Sequence, residues 1–472
     1  MTTAHKGPGG LTAAWARYIA GFEPAAVPAE VRARALQMIQ DGSGALLAAA
    51  DPRIPTGRLV TGLVRESGGA PQATVVGQGF RTGAVDAALA NGTMGYACDV
   101  EPHHPEGILH PIAVMVPTAL AAGELAGASG ARFVAAVVLG CELEYRLSMA
   151  LGPVEQYNLG FHPSAVCGCF GATAAAAFLL GLDEEQTVAA LGLAGCQASG
   201  LMAWESDPTE NARPFQMGMA ARNGLTAALL ARRGFGGPRA IFDEGHTVFR
   251  AFSRNPRPGF LVDELGTRFD GIMELAIKPY SSVSFLHPGL DGLLAIAREH
   301  RLAIGDVAAI EMRFATSGAH CVDGNPLKSH CAQYILPVAL TAEGLRVLDL
   351  FHDRRESDAD VARLSRAVTV VHDDELDRLF PERYETVITV TTKDGRQLKT
   401  RNGVARGYPE QPLAEGEIDA KFATLAGAVA SPERVAALRD AIVGLEQAPD
   451  LARYAGLMGA KPDSDASDAR MS

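Results

Sequence analysis

Apolar positions along the chain recur mostly at helical spacing. Residues 11–21 and 28–50 read as amphipathic helices, and in the second Val31, Ala35, Leu36 and Ile39 form one apolar stripe. Further helices are expected at 55–66, 84–93, 112–125 and 132–151, with a short strand-like piece at 73–76. The stretch 160–200 has a different texture. A small-residue apolar run at 172–180 is broken by Gly181, and Asp183, Glu184, Glu185 and Gln186 supply helix-start carboxylates and amide. A second Ala/Leu/Gly run then continues to Gly200. Two helices with so little bulk can bring their axes close, which places this hairpin at the centre of a helical domain. A polar crossing loop at 204–216 leads into an Ala-rich helix at 217–233.

Near Leu265 the period changes. Residues 307–314 and 387–392 alternate as strands, and the turn Lys393-Asp394-Gly395-Arg396 leads into another extended piece at 397–399. Helical stretches at 290–300 and 329–341 accompany them, and helical spacing returns at 418–425 and 432–445. The expected fold is therefore mainly α: a large all-helical domain with an inserted smaller α+β lid domain. The helical domain takes 1–264 and 403–460, the lid 265–402, and the Asp/Ser-rich 461–472 a disordered tail. Residues 1–10 read as a loose start.

Composition narrows the function classes. A net charge of −12, spread along 472 residues, argues against nucleic acid as a partner but leaves an anionic small molecule open, because local charge in a cleft outweighs the total. No window approaches the roughly 18 uninterrupted apolar residues of a membrane span, and the first twenty residues carry no basic and apolar leader pattern. Seven cysteines include no CxxC pair, only Cys167 and Cys169 as CxC, so they read as reduced thiols of a cytoplasmic protein.

Four places collect polar residues that a packed helical domain does not need. The first runs Asp99-Val100-Glu101-Pro102-His103-His104-Pro105 and ends at His110-Pro111. A metal site, a solvated loop and catalytic residues are all open readings there. The second is His162, which precedes Pro163 and so leaves a loop rather than a helix face; a satisfied structural imidazole is its bland reading. The third is Asn211-Ala212-Arg213-Pro214-Phe215-Gln216, with Arg222 and Asn223 further on, where Arg213 suits bidentate carboxylate binding or is simply a surface arginine. The fourth is Ile277-Lys278-Pro279-Tyr280 with His287-Pro288, at the change of texture, where a ligand site or a solvated lysine would fit. No phosphate loop, dinucleotide fingerprint or GxSxG elbow occurs. Acids, bases and cations without these motifs support proton abstraction beside a carboxylate, with cations neutralising the enolate-like charge.

Six stretches also carry a resemblance: Gly160-Phe161-His162-Pro163, Gly195-Cys196-Gln197-Ala198-Ser199-Gly200, Gly218-Met219-Ala220-Ala221-Arg222-Asn223-Gly224, Ile277-Lys278-Pro279-Tyr280, Ala405-Arg406-Gly407-Tyr408-Pro409, and Pro412-Leu413 with Lys421-Phe422. In that order they resemble the MmgE/PrpD family, which includes 2-methylcitrate dehydratase, cis-aconitate decarboxylase and iminodisuccinate epimerase. The resemblance implies a helical domain with an inserted lid, a homodimer, and catalysis with no metal or organic cofactor. It implies catalytic roles for Asp99, His110, His162, Lys278 and Tyr334, and substrate binding by Arg213 and Lys278, with His103, Gln216 and His287 as further binding candidates. Arg213 stands where the decarboxylases carry lysine, and Gln216 where many relatives carry histidine. The expected activity is a cofactor-independent lyase on a small di- or tricarboxylate, most favourably dehydration of a citrate-like hydroxy acid. Decarboxylation and epimerisation are the alternatives within the family. A non-catalytic, carboxylate-binding helical dimer is the alternative outside it, and it requires that His110, His162 and Lys278 stay far apart.

Overall fold

The computed structural model describes residues 10–348, 355 and 357–463. The expected loose start and tail therefore lie outside the described residues, apart from Gly10 and residues 461–463.

The chain is mainly helical. Four helices, Pro111–Ala126, Gly130–Leu151, Pro163–Leu180 and Ala212–Arg232, make the centre of the larger core. They approach closely because glycines face backbone: a Cβ on Gly171 would sit 2.6 Å from the Gly140 carbonyl oxygen, and one on Gly224 would sit 2.5 Å from the Ala172 methyl. Pro163–Leu180 has all its residues buried. It starts nine residues earlier than the apolar run suggests, because Pro163 at its first position needs no amide partner and pre-sets the helical φ. It is long and apolar enough to cross a membrane, but every residue of it is packed inside the protein. The partner helix Glu184–Gly195 begins with a reciprocal capping box between Asp183 and Gln186.

A second core gathers residues from Ala276 to Tyr408. Its sheet orders the strands Val368–Asp373, Val307–Ala315, Thr386–Thr392 and Gln397–Asn402; the first pair is parallel and the others antiparallel. The strand Val368–Asp373 was not expected from the alternation pattern. The helices Glu415–Ala426 and Pro432–Val443 return to the larger core through Ile418, Phe422 and Leu438.

Candidate active site

The loop between the helices Ala84–Met94 and Pro111–Ala126 is polar in sequence yet buried: Asp99, Glu101, His103 and His104 are each at most 2% exposed. Burying so many polar groups requires fixed partners. Ala276 exchanges both backbone hydrogen bonds with His103, at 2.7 and 3.0 Å. Lys421, itself buried and paired with Asp41 at 2.8 Å, donates to the Val100 carbonyl at 2.6 Å. Asp99 and Ile108 hold φ of 52° and 50°. A β-branched residue in that region is strained, and such strain is concentrated at functional sites.

Lys278 reaches this loop from the junction between the two cores. Its segment is held by Ile277, whose N–H donates to the Gly407 carbonyl at 2.9 Å. Gly407 has φ 93°, and a Cβ there would collide with the Ile277 carbonyl. Two of the motif stretches are thus one structural unit. The Lys278 ammonium is fully buried and donates to Asp99 Oδ1 at 2.5 Å and to Glu101 Oε1 at 3.2 Å. That same Glu101 oxygen lies 2.7 Å from His110 Nδ1. Arg213 is 2% exposed, not a surface residue. Its guanidinium lies over Tyr96 at 4.4 Å and near Trp204 at 5.4 Å, with Nη1 3.4 Å from Asp99. The loop expected around it is instead the first turn of Ala212–Arg232, because Pro214 falls where a helix tolerates proline.

His162 is the extended N-cap of Pro163–Leu180, with φ −89° and ψ 108°. Its Nδ1 lies 2.8 Å from Gln216 Oε1, while Gln216 Nε2 donates to the Leu201 carbonyl at 2.9 Å. The amide orientation is therefore fixed, Nδ1–H is the donor, and Nε2 keeps its lone pair. Gln216 acts on His162 and does not line the cavity. Sequence reasoning missed His330, which is 1% exposed and rests edge-on to Trp204. Ser329 spends its hydroxyl proton on Glu210 and accepts from His330 Nδ1 at 2.9 Å. No spacing in the sequence signals this residue, since only the tertiary path brings it in.

Tyr96, His103, His110, His162, Trp204 and His330 line one small cavity of about 30 Å³. Both ring nitrogens of His103 lack partners, as do Asp99 Oδ2, Glu101 Oε2 and Arg213 Nε. His287 is buried, gives Nε2–H to the Ser282 carbonyl at 3.1 Å and stands behind His103. Tyr334 lies in the second core with the Lys328 ammonium 5.5 Å from its ring, and it does not line this cavity.

The electrostatics divide these groups. Burial would push the Asp99 carboxyl up, but Arg213 and Lys278 outweigh it and hold it well below the usual range. Burial pushes Glu101 up to about 7, with Lys278 opposing. Burial, then Lys278, hold His110 and His103 well below the usual imidazole range. Burial lowers His162 to about 4 and, with Arg213, His330 to about 3. Around neutral pH the cavity is thus lined by neutral imidazoles, and behind His110 lie the Asp99 carboxylate, the Arg213 guanidinium and, in Glu101, a carboxyl poised to exchange a proton.

The MmgE/PrpD N-terminal domain matches residues 13–261 and the MmgE/PrpD C-terminal domain residues 280–447. A cis-aconitate decarboxylase-like protein, oryM, of Aspergillus oryzae is 27% identical, with 97% of this chain and 99% of that protein covered. A cis-aconitate decarboxylase of Aspergillus terreus is also 27% identical, over 94% of both chains. A 2-methylcitrate dehydratase of Cupriavidus necator is 26% identical over 48% of this chain and 49% of its own. The two domain matches cover most of the chain, and it belongs to the MmgE/PrpD family.

Proposed function

We propose that the protein is a cofactor-independent lyase acting on a small di- or tricarboxylate through a carbanion beside a carboxylate. The observation that carries this reading is the convergence of His110 and Lys278 on one oxygen of Glu101, at 2.7 and 3.2 Å, with His110 lining the same cavity as His162. A non-catalytic dimer would have no need to bring these groups together. His103, whose two ring nitrogens lack partners, lines the same cavity and would be completed by a polar ligand.

The reaction that uses both His110 and His162, both cations and both carboxyls is elimination of water. His162 Nε2 is unprotonated and removes the proton α to a carboxylate. Arg213 and Lys278 neutralise the charge that develops. The leaving hydroxyl takes its proton from His110 Nε2, which is replenished from Glu101 through Nδ1. An incoming carboxylate pushes Glu101 further up and so loads the pair with its proton. Asp99 holds both cations in place.

Decarboxylation of an unsaturated tricarboxylate is the second reading. The near full-length match to two relatives named for cis-aconitate decarboxylation favours it. It needs the same cations and one acid, since loss of CO₂ itself supplies the carbanion that His110 then protonates.

A cavity of about 30 Å³ holds about one water. Val283, Ser284, Phe285, His330 and Tyr384 close it from the second core, so that side must move for substrate to enter. The test is incubation with citrate, 2-methylcitrate, cis-aconitate and iminodisuccinate in D₂O, followed by proton NMR. A new alkene signal marks dehydration, a product one carbon shorter marks decarboxylation, and exchange of the α proton for deuterium with inversion marks epimerisation. Inertness toward the whole panel, with tight binding of one member, would support the non-catalytic alternative.

A further inference from the structure

Outside the cavity, one group of side chains has a composition that neither the fold nor the proposed reaction uses. Glu205 lies in the short 3₁₀ helix Met202–Ser206, directly after the cavity residue Trp204. His320 and Cys321 follow the short helix Thr316–Ala319 of the second core. Cys321 Sγ is 3.1 Å from Glu205 Oε1 and 3.3 Å from His320 Nε2, and those two are 3.8 Å from each other. Their ligand atoms form the one three-residue group among the described residues compact enough to hold a metal ion.

The distances suit a particular class of ion. A tetrahedral ion with bonds of about 2.3 Å to sulfur and 2.0–2.1 Å to nitrogen and oxygen sets its ligand atoms about 3.5 Å apart for pairs with sulfur and about 3.3 Å for nitrogen with oxygen. The three observed separations each fall within about half an ångström of these values. Thiolate, imidazole and carboxylate together select a borderline-soft divalent ion over magnesium or calcium, which want oxygen alone. Cys321 is buried, whereas the Glu205 and His320 side chains are 30% and 46% exposed, so an ion can arrive from solvent.

We propose that Glu205, His320 and Cys321 form a binding site for a zinc-like divalent ion that ties the inserted domain to the helical domain beside the active cavity. Binding replaces the S–H bond of Cys321 by a metal–sulfur bond and releases that proton to solvent. Three protein ligands leave the fourth position to water. None of the three lines the cavity, so the ion is no part of the chemistry proposed above. Its action is mechanical: it bridges the two sides that must separate for substrate entry.

Cobalt(II) tests this, because a thiolate ligand gives it a charge-transfer band and tetrahedral geometry gives it intense visible bands. Full-length protein treated with chelator and then titrated with Co²⁺ should bind one ion per chain with both signatures, and Zn²⁺ should displace it. Cys196 is the exposed thiol, and Cys196→Ser should change nothing. Cys321→Ser should abolish the charge-transfer band, and Glu205→Gln and His320→Ala should each weaken binding at least tenfold. Zn²⁺ should raise the thermal midpoint of the unsubstituted protein and not that of His320→Ala. No thiolate band in the unsubstituted protein, or a band that survives Cys321→Ser, overturns the site. If Cys321→Ser does not fold, His320→Ala alone decides, since its ring is largely exposed; unchanged Co²⁺ affinity there overturns the proposal equally.

Discussion

Glu101→Gln separates a proton-holding carboxyl from one that merely fills space. The amide has nearly the same shape, so the fold and the 2.7 Å approach to His110 Nδ1 can persist. What disappears is the proton that Glu101 passes to Nδ1 as Nε2 gives its own away. In the variant a neutral imidazole would have to become an imidazolate, and the acid is lost. The carboxylate left behind in the unsubstituted enzyme is stabilised by Lys278 Nζ at 3.2 Å. At an effective dielectric of about 20 that attraction is about 5 kcal/mol, which caps the effect at just under about four decades in rate. General acids ordinarily contribute about 10²–10⁴-fold. The expected loss in kcat is therefore about 10²–10⁴-fold with little change in KM.

The pH profile carries the sharper sign. The pair must hold its proton, so kcat/KM falls as pH rises through about 7 in the unsubstituted enzyme. His162 must be unprotonated, so the acid limb lies near 4. Glu101→Gln should erase the limb near 7 and leave the one near 4. Stability supplies a check that needs no substrate. A carboxyl raised above its unfolded value of 4.5 contributes fully below that pH, and its contribution is lost as pH rises through about 7. Relative to the unsubstituted protein, Glu101→Gln should thus gain stability between pH 6 and pH 8 in urea titrations. A variant that keeps the limb near 7, or keeps kcat within threefold, would refute the assignment of the proton to Glu101.

Arg213→Lys keeps the charge but loses the planar guanidinium that reaches Asp99 and lies over Tyr96 and near Trp204, so kcat/KM on the substrate found by NMR should fall about tenfold or more. Arg213→Ala leaves Asp99 with Lys278 alone and should also cost about 3–5 kcal/mol of stability, read by urea titration. Gly224→Ala drives a methyl to 2.5 Å from Ala172 and 2.7 Å from the Thr173 nitrogen, and overpacking of this kind should lower stability by about 1–3 kcal/mol in the same assay. His104, His162, His287 and His330 are lowered to about 4, 4, 3 and 3, chiefly by burial. The unfolded chain therefore takes up protons first as pH falls below 6.5, and calorimetry at pH 7.5, 6 and 5 should show a loss on the order of 1 kcal/mol per histidine per pH unit.

Local physics made some of this architecture legible in the sequence and left other parts invisible. The small-residue hairpin announced itself because glycine and alanine at helical spacing serve close packing. Asp99, Glu101, His103 and His110 were visible as a cluster because they lie within twelve residues on one loop. Their pairing was not, since spacing along an irregular loop does not fix which oxygen faces which nitrogen. His330 was overlooked because the polar residues near it in sequence form no recognisable spacing, and its relation to Asp99, 3.9 Å away, spans the two cores. Lys421 read only as part of a motif, although it is the residue that pins the loop through Val100. The strand Val368–Asp373 has only a short alternation, and it pairs in parallel with a partner about sixty positions earlier.

A simpler regularity does connect sequence to site. His110, His162, Arg213, Lys278 and His287 each stand directly before a proline. Proline excludes the residue before it from a continuing helix but is well suited to a helix's first turn. His110 and His162 are N-caps, Arg213 occupies a first turn, and His287 opens the helix His287–His300. Four helix starts are thereby brought to the buried loop that carries Asp99 and Glu101. The start of Ala212–Arg232 is already capped by Asp207, which accepts from the Asn211 and Ala212 N–H groups at 3.0 and 2.7 Å; the other starts carry the partial positive charge of a helix N-terminus, which favours an anion. The X-Pro pairs accordingly do two things at once. They place the functional side chains at helix starts, and at His110 and His162 they set two helix N-termini side by side, the His110 N–H donating to the Ser164 hydroxyl at 3.0 Å beside the loop that carries Asp99 and Glu101.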